Sequence, residues 1–226
     1  MGNFMLLPEI IVDNSIKLAW PDTYLGCLYY TVKVLSKSTT LAEYYNSSIV
    51  PLLTKQLTST ELVNMPNIRE ARAAYKSFGI DPGKQRVSSE ALYRRLRQKK
   101  SLYQINSLVD ANNLISLKTG FSLGSYDAEC VGQKLVFRLG KREEKYIAIG
   151  KNDISLRNMP VLTDQVGPFG SPTSDSTRAM ITLTTQKALT IIYSFSGENT
   201  LDEALQLAER YFVKFSAISE IKTFKA

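Results

Sequence analysis

The sequence predicts an α+β fold, with helices mainly in the first half and a β-rich second half. Three observations carry this expectation. Apolar residues recur at helical spacing in several segments up to about residue 120, β-branched apolar runs follow from about residue 134, and no regular β-α alternation links the two halves. The 226 residues hold no internal repeat, low-complexity tract or Gly/Ser linker, so 1–226 reads as a single unit.

The first strands are expected at Ile10 to Val12 and at Gly26 to Leu35, the latter placing Leu28, Tyr30, Val32 and Val34 on one face. Leu41 to Leu57 reads as a helix with Thr40 as its cap and Pro51 as a kink. Asn67 to Phe78 reads as a helix closed by Gly79. Ser88 is expected to cap the next helix, with Glu90 in its first turn and Leu92 and Leu96 facing the core. Ser107-Leu-Val-Asp110 has the form of a capping-box variant, and its helix should stop at Gly120. Lys134 to Leu139 and Lys145 to Ile149 suggest a hairpin around Gly140–Glu144, and Met180 to Thr185 and Ala188 to Ser194 suggest two further strands. Between them Asp164 to Asp175, rich in Gly, Pro and Ser, reads as a loop. Thr200-Leu-Asp-Glu203 is a capping box opening a last amphipathic helix through Phe212, followed by a tail.

Composition excludes several chemistries. There is no histidine, which removes Ser-His-Asp and Cys-His nucleophile systems, His-zinc sites and an imidazole acid/base. Cys27 and Cys130 cannot make a four-ligand zinc site and read as buried thiols, so neither a metal nor a cofactor is expected. No phosphate-loop signature or dinucleotide glycine fingerprint occurs. No run approaches the ~20 apolar residues of a membrane span, and the stretch from Met1 to Glu9 lacks a basic leader, so the expectation is a cytoplasmic protein without a membrane partner. Oligomeric state is left open.

The charge is concentrated. Between Ile68 and Lys100 stand ten basic residues against Glu70, Asp81 and Glu90, and the remaining eighteen basic and eighteen acidic residues cancel, so this segment carries the whole +7. Such a cluster suits a polyanion, because each neutralised phosphate releases counterions. It is equally the pattern of a solvated helix face. Arg94, Arg95, Arg97, Lys99 and Lys100 are the candidate RNA contacts, since helical spacing gathers them in adjacent rows.

The most informative block is Gln104-Ile-Asn-Ser-Leu-Val-Asp-Ala-Asn-Asn113, followed by Gly120-Phe-Ser-Leu-Gly-Ser-Tyr-Asp127. It resembles the fused third and fourth domains of the phenylalanyl-tRNA synthetase beta chain, the module that hydrolyses tRNA mischarged with tyrosine. Bacterial beta chains carry P-I-N-N-V-V-D-x-x-N and then G-x-P-x-H-A-F-D. Ile105, Asn106, Val109, Asp110, Asn113, Gly120 and Asp127 match without a gap, and Tyr126 stands for Phe. Ser89-Glu-Ala-Leu92 and Asp175-Ser-Thr-Arg178 resemble a free-standing branch of that family, and the likeness runs from about Leu25 to Phe195. It implies an editing-domain-like fold and tRNA or aminoacyl-tRNA as partner. The family's pocket histidine falls on Gly124, and the glutamate that senses the tyrosine hydroxyl has no assigned counterpart.

Deacylation is attack of water on an activated ester, so it requires a positioned water and oxyanion donors. Backbone N–H groups near Gly124 could supply the donors, Ser122, Ser125, Thr182 and Thr184 could hold the water, and Asp127, Asp164 or Asp175 could be the base. Asn113, Tyr126 and Ser176 complete the candidate pocket. Each has a plainer reading. Asp110 and Asn113 cap a helix, Asp127 begins a strand or turn, and Asp175-Ser176-Thr177 forms a loop. Three functions therefore stand open: an editing-type protein that deacylates aminoacyl-tRNA in trans, a non-catalytic RNA or amino-acid binding module that kept the fold, and a hydrolase of a small amino-acid ester or amide.

Overall fold

The computed structural model describes residues 6–59 and 62–226, with side chains from 56 to 61 left aside. Met1 to Met5, part of the segment read above as lacking a leader, lie outside the described residues. The architecture is α+β, built on a four-stranded antiparallel sheet whose three strands other than the exposed edge strand are buried on both faces. Its strands are β2 (Tyr24–Lys33), β3 (Ser122–Asp127), β9 (Lys187–Ser194) and β10 (Ala217–Lys225), in the order β10-β2-β9-β3. One face carries Leu28, Tyr30, Val32 and Val34 into a core shared with the helices. The opposite face carries Leu25, Cys27 and Tyr29 into a second core. Alternation with period two, both phases apolar, is what lets a single strand serve two cores.

The helical layer contains α2 (Thr39–Tyr44), α3 (Val50–Ser59), α5 (Ser88–Arg97), α6 (Ser107–Thr119) and α7 (Leu201–Phe215). A π-helical turn over Tyr45–Ile49 joins α2 to α3. The expected kink thus lies just ahead of Pro51, whose missing N–H and ring conflict with a regular preceding turn. The other layer is a mixed sheet in which β1 (Glu9–Val12) runs parallel to β4 (Lys134–Leu139), and β4 pairs antiparallel with β7 (Pro160–Thr163), itself paired with β8 (Pro168–Gly170). A short α1 (Asn14–Lys17) packs near β4. The helix α4 (Pro66–Ser77) places Ile68 in the helical core and Tyr75 in the second one.

Several local expectations are corrected. The caps of α2, α5 and α6 are Ser38, Val87 and Asn106 rather than Thr40, Ser88 and Ser107. Asn106 accepts from Leu108 and Val109 N–H, and Asp110 reaches back to Ile105 N–H. Thr200 precedes α7 but its hydroxyl donates to Gly197 O, so the capping box does not form. The hairpin around Gly140–Glu144 is absent. A Cβ on Gly140 would lie 2.0 Å from the Leu156 carbonyl, so the chain crosses there and β5 (Lys145–Ile147) pairs with β6 (Asp153–Ser155) instead of β4. The segment from Asp164 to Asp175 contains β8, with Asp164 accepting from Val166 and Gly167 N–H to make the β7–β8 turn. Met180 to Thr185 is not a strand. Thr182 N–H donates to Thr185 Oγ1, and such side-chain bonds compete with a ladder. Cys27 is buried as expected, whereas Cys130 is exposed.

Glu90 ties the helical layer together. Its side chain is fully buried and meets Arg72 at 3.0 Å, Arg94 at 2.8 Å and Arg86 at 3.9 Å. Arg72 also donates to Pro82 O, so α4, α5 and the connecting loop share one carboxylate. Removing one member of a buried pair typically costs roughly 3–5 kcal/mol, while half-exposed pairs contribute under about 1 kcal/mol. Urea unfolding should therefore show a loss of that larger size for Glu90→Ala and a loss under about 1 kcal/mol for Arg86→Ala. Equal losses in the two variants would contradict this ranking.

Candidate functional site

The motif strand β3 points its residues alternately into the two cores. Ser125, on the helical side, donates to Asn112 Oδ1 at 3.0 Å and lies 2.7 Å from the Thr190 hydroxyl, which in turn meets Tyr30 OH at 2.7 Å. The Ser122 hydroxyl oxygen accepts from Ser89 N–H at 3.1 Å and meets the Ser89 hydroxyl at 3.1 Å, fixing the start of α5. On the far side Tyr126 is fully buried and donates to Asp175 Oδ1 at 2.7 Å. With that proton committed, its oxygen accepts from Tyr193 OH at 2.6 Å. Ser171 N–H also donates to Asp175, and Tyr146 donates to the neighbouring Ser174 carbonyl.

Gly124 belongs to this tyrosine cluster. A Cβ built on it would sit 2.1 Å from Tyr126 OH, and one built on Gly170 would sit 2.2 Å from the same oxygen. The phenol tip therefore occupies the space that a side chain at 124 would enter. The two departures from the family text, Gly124 for His and Tyr126 for Phe, are one packing event: the added hydroxyl needs the room that the missing side chain leaves.

The remaining candidates are dispersed. Asp127 accepts from Glu129 N–H and from Thr185 Oγ1 at 2.7 Å, holding the end of β3 to the turn in which Thr182 and Thr184 bond each other. Asp164 forms two bonds with the Arg178 guanidinium at 3.0 and 3.1 Å. Burial would raise its pKa, but Arg178 and the N–H groups of Gly132 and Val166 outweigh that and hold it low. Ser176 caps the short turn Thr177–Ala179. Asp175 differs: desolvation of its carboxyl, only partly offset by the Tyr126 and Ser171 bonds, pushes its pKa up to about 6.

An open cavity of about 640 Å³ lies elsewhere, between α2–α3 and the α5–α6 connection. Leu96, Leu102 and Leu114 form apolar wall, and Lys37, Lys99, Lys100 and Tyr103 stand among its lining, with Asp110 and Asn113 from α6. Of the site residues expected from sequence, Asn113, Lys99 and Lys100 are brought together here. Lys99 takes φ 56° at the position after the α5 cap, and its N–H and that of Lys100 close the helix on Leu96 O and Arg95 O. Glycine usually fills that left-handed position, and any other residue there costs about 1–2 kcal/mol. Arg95 stacks 3.9 Å over Tyr103 and bonds its hydroxyl. Arg94 is turned to Glu90, while Arg97 is exposed. Sequence reasoning missed Lys37, Tyr45 and Tyr103; they converge only through tertiary packing, and the aromatic–basic interleaving of Arg95 with Tyr103 was the one available signal.

Two outcomes follow from the tyrosine cluster. Gly124→Ala and Gly170→Ala should each lower stability by roughly 1–3 kcal/mol through overpacking, and Tyr126→Leu should remove most of either cost because both collide with one phenol. Unchanged costs in the Tyr126→Leu background would separate the glycines from that ring. For Asp175 the raised folded pKa means that the folded state holds its proton more tightly than the unfolded state. Its contribution is favourable in acid and is lost as pH rises from about 4 through about 6. The stability difference between wild type and Asp175→Asn, from urea titrations at pH 4 to 7.5, should shift by up to roughly 3 kcal/mol in favour of the variant and then level off. A flat difference would mean that the carboxyl is solvated.

The B3/4 domain family model matches residues 70–214. Among solved structures, an N-terminal fragment of the phenylalanyl-tRNA synthetase beta-subunit from Pyrococcus horikoshii is similar at a TM-score of 0.47 and 10% identity, covering 96% of this chain and 53% of that one. The chain thus spans about half the length of that fragment. No curated protein matches the sequence. With more than half of its residues under the family model, the chain belongs to the B3/4 domain family, which occurs in the phenylalanyl-tRNA synthetase beta chain.

Proposed function

We propose that the chain is an RNA-binding module whose partner is tRNA or an aminoacylated tRNA end, and that the end of α5 with the turn after it is the contact surface. The observation that carries this is how the basic segment divides. Arg72, Arg86 and Arg94 are bound to Glu90, whereas Arg97, Lys99 and Lys100 are exposed and form no ion pair among the described residues. Cations left over after internal pairing are the ones available to phosphates. Membership of a domain family found in a tRNA synthetase chain supports tRNA over other polyanions.

Trans deacylation is the second reading, and Asp175 is what favours it, since a carboxyl with a pKa near 6 beside the motif strand has the properties of a general base. Against it, the Tyr126 hydroxyl fills the space beside Gly124 and is itself bonded to Asp175 Oδ1, so the carboxylate already has a partner where a substrate would need it free. Ser122 and Ser125 are likewise held in internal bonds. Thr182 and Thr184 remain near the surface, but bonded to each other. Deacylation above the uncatalysed rate that disappears in Asp175→Asn would reverse this order.

Fluorescence anisotropy with labelled tRNA over a salt series tests the binding reading. Changing Arg97, Lys99 and Lys100 together to Ala should shallow the log-log salt slope by roughly two to three, given about 0.7 to 0.9 per phosphate contact. Arg94→Ala should leave the slope almost unchanged and lower stability instead. No binding at low salt would end the RNA reading, and an unchanged slope would move the interface off α5.

A further inference from the structure

We infer that the cavity between α2–α3 and the α5–α6 connection receives one unstacked nucleotide of RNA, its base inside and its phosphate on Lys99 and Lys100. This rests on the RNA-binding reading above and adds to it a specific pocket, separate from the motif strand β3. Four features of the cavity match the chemistry of a nucleotide.

The first is size: about 640 Å³ falls within the roughly 300–1,000 Å³ of small-molecule sites. The second is polarity. Leu96, Leu102 and Leu114 offer apolar wall to a flat ring, while Asn113, Gln104 and Asp110 offer donors and acceptors to its edge. Single-stranded RNA is read in this way, by splayed bases with free hydrogen-bonding edges. The third is charge placement. Lys37, Lys99 and Lys100 line the cavity, are exposed and form no ion pair among the described residues, so the cationic groups sit where a phosphate attached to an enclosed base would lie. The left-handed Lys99 is part of that arrangement, because the turn it makes brings two successive lysines to the lining. The fourth is an incomplete hydrogen-bond inventory. Tyr45 lines the cavity, and its buried hydroxyl has no hydrogen-bond partner among the described residues. Buried hydroxyls are nearly always paired, and a small turn of the Tyr45 ring toward the cavity would let a base carbonyl or ring nitrogen supply the acceptor.

Asp110 sets the direction of selectivity. Its carboxylate accepts from Ile105 N–H, and a second acceptor function remains for a donor. An exocyclic amino group, as on adenine, cytosine or guanine, offers that donor at the rim of the ring, whereas uracil offers only its N3–H, recessed between two carbonyls that the carboxylate repels. The cavity should therefore prefer the adenosine, cytidine and guanosine 5′-monophosphates over uridine 5′-monophosphate.

Isothermal titration with the four 5′-mononucleotides, and anisotropy with a single-stranded oligoribonucleotide and a blunt RNA duplex, test the inference. Wild type should bind the adenosine, cytidine and guanosine monophosphates at least several-fold more tightly than uridine monophosphate. Ala42→Trp, which fills the cavity, should weaken mononucleotide and single-strand binding about ten-fold or more while leaving duplex binding within about two-fold. Because that variant could misfold, the wild-type chain should also be irradiated with 8-azidoadenosine 5′-monophosphate, which keeps the exocyclic amino group, and the adducts mapped by mass spectrometry. Crosslinks within residues 37–54 or 99–114 support the site. Mononucleotide binding unaffected by Ala42→Trp, or crosslinks confined to other segments, overturns the inference while leaving the RNA-binding reading intact if tRNA still binds. Loss of tRNA binding from the wild type itself would instead overturn that reading.

Discussion

The constraint on which the rest of the molecule depends is that its central sheet, apart from the exposed edge strand β10, is buried on both faces. A side chain on β2, β3 or β9 points into one core or the other and has little water to turn to. Polar groups on these strands must then find partners inside the protein, since a buried unpaired polar group costs about 1–3 kcal/mol. Two internal networks answer that demand, Ser125–Thr190–Tyr30 with Asn112 on the helical side and Tyr126–Tyr193–Asp175 on the other. Both run through the strand that carries the family motif. Polar residues that read as a reaction site in sequence take part in these internal bonds, and the cavity lined by Lys99 and Lys100 lies away from the sheet, between helices.

The basic segment follows the same logic at the level of charge. Burying a carboxylate is costly unless it is paired, and the fully buried Glu90 is met by Arg72, Arg86 and Arg94. Three of the ten cations of the segment are in this sense structural, holding α4 to α5. The excess that remains for a partner is correspondingly smaller and is densest toward the end of α5, with Lys76 and Lys84 exposed and outside any ion pair among the described residues as well. Counting charge along the chain located the segment correctly but could not divide it between these two duties.

What was legible in the sequence was what local spacing encodes. The β2 face through Leu28, Tyr30, Val32 and Val34, the stops at Gly79 and Gly120 with φ of 79° and 78°, and the α+β class all follow from periodicity and backbone preference. What was not legible depends on pairing across distance. β10 hides because a register shift between Ser219 and Lys222 breaks the alternation that would announce it. The expected β4–β5 hairpin fails because a contact between Gly140 and Leu156, sixteen residues apart, diverts the chain. The cavity is of the same kind: Lys37, Tyr45, Lys99 and Asn113 belong to four segments with no shared pattern, and only the packing of α2–α3 over α5–α6 makes them neighbours.

Gly124 shows why membership of a family and possession of its activity are separate questions. If the strand had lost only its histidine, an empty space would remain beside Gly124, and water or substrate could still enter it. The added hydroxyl of Tyr126 closes that route, since it lies where the first side-chain atom of residue 124 would be and is held there by Asp175 and Tyr193. Reintroducing a histidine alone would therefore drive its Cβ into the phenol rather than restore a pocket. Restoration would need at least two changes together, removing the Tyr126 hydroxyl and rebuilding residue 124, and the first of these leaves Asp175 without its main side-chain partner. The raised pKa of that carboxyl already reflects poor solvation, so the loss of the bond would favour its protonated form further at neutral pH. Acid–base chemistry at the motif strand would thus require several coordinated changes around Tyr126, whereas the proposed RNA contacts use side chains at the end of α5 and in the cavity beside it that are exposed as they stand.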